Sequence, residues 1–293
     1  VADGGGAPPP ARLIVEYVRR AAYGNGPLAN TLREKISLLR HTDEDVRRFV
    51  ATHMVANNAV LVGVNIDHDE LCAFGEANIP ASTVPTPGVI NSPYVGGDFR
   101  MHKPYESAFV CIAGEGAALE DVQACAVQAV LMAWLGSQVP RPDASELSDG
   151  SGALAAITKK YSPAIVTWFP SHYEGEGLVH FDIEAPPSCV GDVVKDVVNL
   201  LKNFKVDNLN KFKKRAKEDI ISAQKSRKPS YAASERASKL FNGVEKDAVL
   251  NAIDKVTENQ LKAAVERILS NISIGCVGNI DNVPSRSEIQ NLI

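Results

Sequence analysis

The chain has 293 residues, a formal net charge of −4 and a hydrophobic share of 45%. That length suffices for two domains of ordinary size, and the composition is that of a soluble globular protein. The slightly acidic balance gives no reason to expect nucleic acid as a partner. The longest apolar run, residues 125–135, contains Gln128 and is too short to cross a bilayer.

The N-terminal part of the sequence begins with a segment rich in glycine and proline. We expect residues 1–11 to be extended or disordered. Residues 12–23 have helical periodicity, which the turn sequence GNGP at residues 24–27 ends. Residues 28–39 are predicted to form a second short helix.

Two distant stretches, residues 42–67 and 257–281, carry the same pattern in the same order. Each begins with a threonine N-cap, and Thr257 with Gln260 has the spacing of a capping box. A helix with one apolar stripe follows, then a short apolar strand (residues 59–64 and 272–277), then Asn-Ile-Asp. The stripes consist of Val46, Phe49, Val50, His53 and Met54 in the first copy and, 215 positions later, Leu261, Ala264, Val265, Ile268 and Leu269. The sequence therefore predicts two copies of one architectural unit.

The two copies differ in what precedes them. From Tyr94 to Thr257 is a span of 163 residues, whereas 41 residues precede Thr42, and the sequence begins with Val1 instead of Met. We therefore expect the first unit to lack its front half, through gene fission or proteolysis. A half sheet would leave strand edges and an apolar helix face uncovered, so another chain would have to cover them.

The remaining elements follow in chain order. Residues 67–76 are predicted to be helical, and residues 79–93 form a linker with four prolines. Two strands (95–103 and 106–113) and a helix (119–135) are predicted next, followed by a loop (136–152), a helix (153–161) and a hairpin of strands 164–173 and 177–185. Four helices (188–204, 208–225, 230–241 and 246–254) then lead to the second copy of the repeat. This order predicts an α+β fold, a sheet with helices packed on one face.

A search for catalytic and metal-binding motifs predicts no site. None of the six histidines belongs to an H-E-x-x-H or H-x-x-E-H motif, which places two histidines and a carboxylate on one helix face. The acidic run at residues 67–70 (DHDE) is typical of a charged helix start, and His53 is interpreted as a partly buried core residue. Gly24-Asn25-Gly26 has no preceding strand and is predicted to be a turn, not a phosphate-binding loop. We therefore assign no catalytic residue, metal ligand or cofactor.

The five cysteines are odd in number, widely spaced, and all in or beside apolar segments. Buried free thiols in a reducing compartment are the expected state.

One basic stretch accompanies an apolar stripe on residues 208–225. Its members are Lys211, Lys213, Lys214, Arg215, Lys217, Lys225, Arg227 and Lys228. It is interpreted as the solvated face of a surface helix, and a contact with anionic lipid or an acidic partner is the alternative.

Several of these segments, taken in order, resemble the pitrilysin-type (inverzincin) metallopeptidase family. They are Ala22-Tyr23, Pro27-Leu28, the helix and strand after Thr42, residues 94–97 (YVGG), residues 108–114, Tyr173 with Gly177-Leu178, and residues 275–281. The family includes the mitochondrial processing peptidase and the core proteins of ubiquinol–cytochrome c reductase (complex III). The resemblance extends from about residue 11 to the C-terminus.

The resemblance implies two related sheet-plus-helix domains, the first incomplete. Residues 12–78 would be the C-terminal half of the first domain, 79–93 the linker, and 94–293 a complete second domain. The H-x-x-E-H motif of active members would fall in the missing front half. The family's Tyr-x-Asp-x-Gly-Leu is here YEGEGL at residues 173–178, so Tyr173 is kept while Gly175 replaces the acidic residue. That change argues against catalysis.

Within the family the chain is most similar to core protein two, because residues 135–154 contain few glycines where the processing-peptidase alpha subunit has a glycine-rich loop. The resemblance therefore implies a non-catalytic scaffold subunit, peripheral on the matrix side of the inner mitochondrial membrane. Its implied partners are a core-one-like subunit, a chain supplying the missing N-terminal half, and cytochrome b, cytochrome c1 and the iron–sulfur protein.

Two alternatives stay open. The chain could be a zinc-free alpha subunit of a processing peptidase, whose acidic Asp143, Glu146 and Asp149 attract basic presequences. It could also be a stand-alone interaction module, which predicts a stable monomer.

Overall fold

A computed structural model describes residues 10–30, 41–79, 88, 90–136, 152–226, 228–245 and 247–293. The described residues form two compact units. One unit combines residues 10–30, 91–136, 152–218 and 249–293, and the other combines the described residues within 41–90 and 219–248. No described helix is both long and apolar enough to span a bilayer.

The regular elements occupy most of the described chain. The helices are α1 (Pro10–Tyr23), α2 (Asp43–His53), α3 (His68–Asn78), α4 (Val122–Leu135), α5 (Ala155–Lys160), α6 (Val190–Lys202), α7 (Leu209–Ser226), α8 (Pro229–Phe241), α9 (Ala248–Ala252), α10 (Glu258–Ser270) and α11 (Arg286–Leu292). The strands are β1 (Asp98–His102), β2 (Ala108–Glu115), β3 (Ile165–His172), β4 (Gly177–Ala185) and β5 (Ser273–Gly278).

The first unit is built on one five-stranded sheet of order β1-β5-β2-β4-β3. β1 runs parallel to β5, and the other neighbours are antiparallel. One face of the sheet is covered by α1, whose Ile14 and Val18 pack with Cys111, Ala113 and Val277. On the other face α10 contacts β2 and α6 contacts β4, while α10 also packs against α4 and α6.

Two glycines allow helices to approach the sheet closely. A Cβ atom at Gly275 of β5 would collide with the α1 backbone at Val18, and one at Gly114 of β2 would collide with the α10 backbone at Ile268. Since the collisions are with backbone atoms, a side chain at either position would push the helix away.

The second unit contains α2, α3 and α8. Thr42 and Asp45 cap α2 with a capping box, in which the Asp45 N–H donates to Thr42 Oγ1 at 3.2 Å and the Thr42 N–H donates to Asp45 Oδ2 at 3.0 Å. α3 begins at the N-cap Asp67, whose carboxylate accepts from the backbone N–H groups of Asp69 and Glu70. The acidic run at residues 67–70 is therefore a helix start, as predicted.

The α+β fold is confirmed, and most predicted elements are present within a few residues of their expected bounds. The capping box of Thr257 and Gln260 is also confirmed, as is the hairpin of β3 and β4. The division into residues 12–78 and 94–293 as domains stays a prediction.

Several expectations need correction, and others fall outside the described chain. Residues 59–64 are not a strand, because no described segment pairs with them. Helices cover both faces of the sheet, since α1 packs opposite α6 and α10, and α1 begins at Pro10, inside the segment expected to be extended. The described part of the predicted helix 28–39 is only a 3₁₀ turn, Pro27–Ala29, and most of the 136–152 loop and the 79–93 linker lie outside the described residues. α11 was missed, although Ser285 and Glu288 have the spacing of its capping box.

Candidate functional site

The two copies of the repeat differ most in how their apolar stripes are covered. In α10, Leu261 and Val265 are buried because the helix packs against β2, α4 and α6. In α2 the corresponding side chains face solvent: Val46 is 56% exposed, whereas its counterpart Leu261 is 1% exposed. The same amphipathic pattern therefore makes a core contact in one copy and an uncovered surface in the other.

The segment after each helix shows the same contrast. β5 has a neighbouring strand on both sides and is buried along its length. Its counterpart, residues 59–64, has extended backbone at Ala59 (φ −134°, ψ 145°) but no paired strand in the described chain. Val60, Leu61 and Val64 are all exposed. Extended apolar backbone without a neighbour offers free N–H and C=O groups to an added strand.

We call the exposed apolar side chains of residues 42–79 the open face. Its members are Val46, Phe49, Val50, Met54, Val60, Leu61, Val64, Ile66, Phe74 and Ile79. Single exposed hydrophobic residues are normal on a protein surface, but ten within 38 residues of one compact unit are not. The open face is the strongest candidate for a protein-binding surface in the described structure.

Tyr173, the residue kept from the family's motif, is the first residue of the turn between β3 and β4. Its ring packs edge-to-face on Tyr23, with centroids 6.2 Å apart. Its backbone N–H donates to Glu176 O at 2.9 Å, and Gly175 adopts φ +75°, a conformation that favours glycine. The Gly175 N–H donates to Glu120 Oε1 at 2.8 Å. These contacts show Tyr173 as a packing residue of a tight turn.

Tyr23 also packs edge-to-face on Tyr94, at 6.1 Å. Burial raises the pKa of both Tyr23 and Tyr94 above the usual value. The Tyr94 hydroxyl donates to Ala113 O at 3.2 Å and pairs with Ser273 Oγ at 2.7 Å, whereas the buried Tyr23 hydroxyl has no hydrogen-bond partner among the described residues. Burial thus favours the neutral form of the Tyr23 and Tyr94 phenols.

Two of the histidines, His53 and His172, have structural contacts. His53 is half-buried and stacks on Phe49 of the open face, with ring centroids 4.4 Å apart. His172 Nδ1 donates to Ala117 O at 2.9 Å, and burial lowers the pKa of this imidazole. Burial also raises the pKa of the neighbouring Cys125 thiol to about 12, so this pair contains no activated thiolate.

One group of potential metal ligands does converge, and the sequence search missed it. Cys111 of β2 with His180 and Asp182 of β4 places Sγ, an imidazole nitrogen and a carboxylate oxygen within 4.8 Å of one another. Cys111 and Asp182 lie opposite each other, and His180 is two residues along β4 on the same face. Only strand register reveals this group, because His180 lies 69 positions after Cys111 and no helical motif links the two residues.

The expected burial of the cysteines is correct for Cys111, Cys125 and Cys276. It is wrong for Cys72, which is exposed on α3, and only partly right for Cys189, which is half-buried. All five are free thiols. Cys72 is exposed because α3 belongs to the unit with the open face.

Three lysines of the basic stretch on α7 have local partners. Lys217 Nζ pairs with Asp254 Oδ2 at 2.6 Å, and Lys213 Nζ donates to Asp254 O at 2.9 Å. Lys214 lies 3.9 Å from Glu218. These contacts favour the interpretation of α7 as a solvated surface helix over a lipid-binding one.

Comparison with known proteins matches residues 40–213 to the model of the peptidase M16 inactive domain. The chain is 25% identical over 300 residues to the probable mitochondrial-processing peptidase subunit alpha-2 of Arabidopsis thaliana, covering 96% of the chain and 58% of that protein. It is 24% identical over 297 residues to human cytochrome b-c1 complex subunit 2, covering 96% and 63%. A chain of complex III2 from Candida albicans has the same fold, with a TM-score of 0.84 at 20% identity over 97% of this chain and 70% of that one.

The chain thus spans about three fifths of the length of these two relatives. The family match covers more than half of the chain and confirms the resemblance seen in the motifs. The chain belongs to the peptidase M16 inactive-domain family.

Proposed function

We propose that this chain is a non-catalytic, core-two-like subunit of mitochondrial complex III, which scaffolds the matrix side of ubiquinol–cytochrome c reductase as a peripheral protein of the inner membrane. The human relative is a subunit of the cytochrome b-c1 complex, and the Candida albicans chain that shares the fold comes from complex III2. The turn around Tyr173 supports the lack of catalysis, because Gly175 stands where active relatives have an acidic residue.

The observation that carries the proposal is the contrast between α10 and α2. The apolar stripe that closes the core of one copy is left exposed in the other, together with an unpaired extended segment. Leaving this surface in water is unfavourable by roughly 25 cal/mol for each Å² of apolar area. A subunit of a permanent assembly has a physical reason to carry such a surface, and a monomer does not.

We further propose what covers the open face. A separate polypeptide supplies the strands that pair with residues 59–64 and the apolar surface that packs on α2. A core-one-like subunit and the cytochrome b, cytochrome c1 and iron–sulfur subunits are the other proposed partners. The open face supports a strand-donating partner specifically, because the unpaired backbone lies beside an apolar helix stripe.

Affinity purification of the tagged chain from its source, followed by intact-mass measurement of every polypeptide, tests both proposals. We expect complex III subunits, with an additional M16-like polypeptide that holds the missing strands. Recovery of a stable monomer would contradict the scaffold proposal. Recovery of the missing strands within the same polypeptide as this sequence would contradict only the separate-chain proposal.

The alternative, a zinc-free alpha subunit of a processing peptidase, is favoured by the Arabidopsis relative. Cleavage of a synthetic presequence by the purified assembly, with and without a chelator, separates the two functions. Ubiquinol–cytochrome c reductase activity without presequence cleavage supports the scaffold proposal. Chelator-sensitive cleavage without reductase activity supports the alternative. Asp143, Glu146 and Asp149, the acidic residues proposed to attract presequences, lie outside the described residues.

A further inference from the structure

We propose that Cys111, His180 and Asp182 form a binding site for a divalent cation of borderline softness, with Zn²⁺ as the natural candidate. The site lies on the α1-covered face of the sheet, where the three potential ligand atoms are within 4.8 Å of one another. It is independent of the proposed scaffold function and of any site in the front half of the first domain.

The strand register preorganises the three side chains. Cys111 and Asp182 are directly opposite on β2 and β4, and His180 follows on the same face, so all three project from adjacent positions of a rigid sheet. His180 Nδ1 already lies 2.9 Å from Asp182 Oδ1. Ligand atoms around a tetrahedral zinc lie roughly 3.2–3.8 Å apart, given bond lengths of about 2.0–2.3 Å. Small side-chain rotations would bring the three atoms to that geometry.

The chemistry of the group also suits zinc. Thiolate, imidazole and carboxylate are its usual protein ligands. Cys111 is fully buried and His180 is 4% exposed, while the Asp182 side chain is 18% exposed and is the part of the group that solvent reaches. A water molecule would be the fourth ligand. One thiolate and one carboxylate balance the charge of a divalent ion, so the occupied site is neutral. Neutrality matters because burying an unbalanced charge is costly.

Binding of a cation at this site should release a proton, and the release can be measured. Burial and the nearby Asp182 raise the pKa of the Cys111 thiol well above its usual range, so the thiol is protonated at neutral pH without a cation. Binding forms an S–metal bond, breaks the S–H bond and releases one proton to solvent. One proton should therefore be released for each cation bound.

Co²⁺ is the probe, because a thiolate bound to Co²⁺ gives a charge-transfer band that carboxylates and imidazoles cannot produce. The full chain, purified with its natural partners, is used in a Cys72→Ser, Cys189→Ser background that removes the accessible thiols. We expect stoichiometric Co²⁺ binding with this band, displacement by Zn²⁺, and release of one proton for each ion.

Variants then identify the ligands. Cys111→Ser should abolish the band, and His180→Gln or Asp182→Asn should weaken Co²⁺ binding by at least about tenfold. Cys276→Ser is the matched control, because Cys276 is an equally buried thiol on β5 whose side chain faces the opposite side of the sheet. It should keep the band.

Absence of the band in the background protein would overturn the proposal and leave the three residues as a hydrogen-bonded core network. Persistence of the band in Asp182→Asn at unchanged affinity would also overturn the proposed ligand set. Asp182 is the most exposed of the three residues, so Asp182→Asn is the variant that should disturb folding least. It therefore tests the ligand set even where Cys111→Ser does not fold.

Discussion

Val50 and Val265 occupy equivalent positions in the two copies of the repeat, yet Val50 is 44% exposed and Val265 is 4% exposed. Both helices begin with a threonine capping box and both carry the same apolar spacing. What differs is the surroundings: α10 packs against β2, α4 and α6. The same apolar pattern therefore packs into the core in one copy and leaves an exposed apolar surface in the other.

This relationship predicts that matched substitutions at Leu261 and Val46 change the stability of the chain by very different amounts. Leu261→Ala should lower the free energy of unfolding by about 2–5 kcal/mol, because it opens a cavity beneath α10. Val46→Ala should change it by less than about 0.5 kcal/mol, because the side chain is exposed. Urea unfolding of the isolated chain measures both. Equal losses at the two positions would show that the open face is covered within this chain.

Polar substitutions on the open face should affect assembly and not folding. Phe49→Ser and Phe74→Ser remove two large exposed side chains, so the isolated chain should aggregate less while the tagged chain retains its partners less well. Sedimentation of the chain and quantification of co-purified subunits measure the two effects. Tyr231→Ser is the control, since Tyr231 is an exposed aromatic residue on α8 outside the open face. Equal loss of partners in the control would contradict the assignment of the surface.

Periodicity predicted the repeat, the hairpin of β3 and β4 and most helices, because these features depend on side chains near in sequence. Residues 59–64 were wrongly predicted as a strand for a physical reason. A short run of apolar, β-branched residues indicates that a segment can join a sheet, but a strand exists only when a neighbour supplies hydrogen bonds. The sequence of this segment is strand-like while its partner strand is not among the described residues.

The group of Cys111, His180 and Asp182 could not be found from sequence spacing. Its three members come together only through the register of β2 and β4, which places Cys111 opposite Asp182. A sequence search recognises metal ligands when one helix or one loop carries them. Ligands on neighbouring strands have no fixed spacing, so the register must be known first.

The capping boxes of α2 and α10 should respond differently to acid. Backbone and side-chain hydrogen bonds from Thr42 lower the pKa of Asp45 below its usual value. The ionised carboxylate therefore contributes stability above the pKa of the unfolded chain, and this contribution is lost as the pH falls through the lower folded-state pKa. In α10 the equivalent position is Gln260, which does not titrate.

Comparison of wild type with Asp45→Asn tests this prediction. The difference in unfolding free energy between them should be constant near neutral pH and should shrink as the pH falls below about 4. Thr257→Ala removes the uncharged cap and should cost about 0.5–2 kcal/mol independently of pH. A pH-independent difference for Asp45→Asn would show that its carboxylate does not cap α2 in solution.

Tyr23, at the C-terminal end of α1, and its neighbour Tyr94 offer a prediction about hydrogen bonding in the core. The Tyr94 hydroxyl contacts Ala113 O and Ser273 Oγ, and Ser273 is fully buried. Tyr94→Phe should therefore destabilise the chain by roughly 1–3 kcal/mol, because it leaves buried polar atoms without this partner. The Tyr23 hydroxyl is buried without a partner, so Tyr23→Phe should be neutral or slightly stabilising, since it removes an unsatisfied group and keeps the ring contacts with Tyr94 and Tyr173.

Thermal and urea unfolding of the two variants measure this difference directly. Both changes delete one oxygen atom from a buried aromatic ring, so each variant serves as the volume control for the other. A loss for Tyr23→Phe as large as that for Tyr94→Phe would mean that the Tyr23 hydroxyl is hydrogen-bonded in solution, and the stability of this cluster would then rest on both phenols instead of on Tyr94 alone.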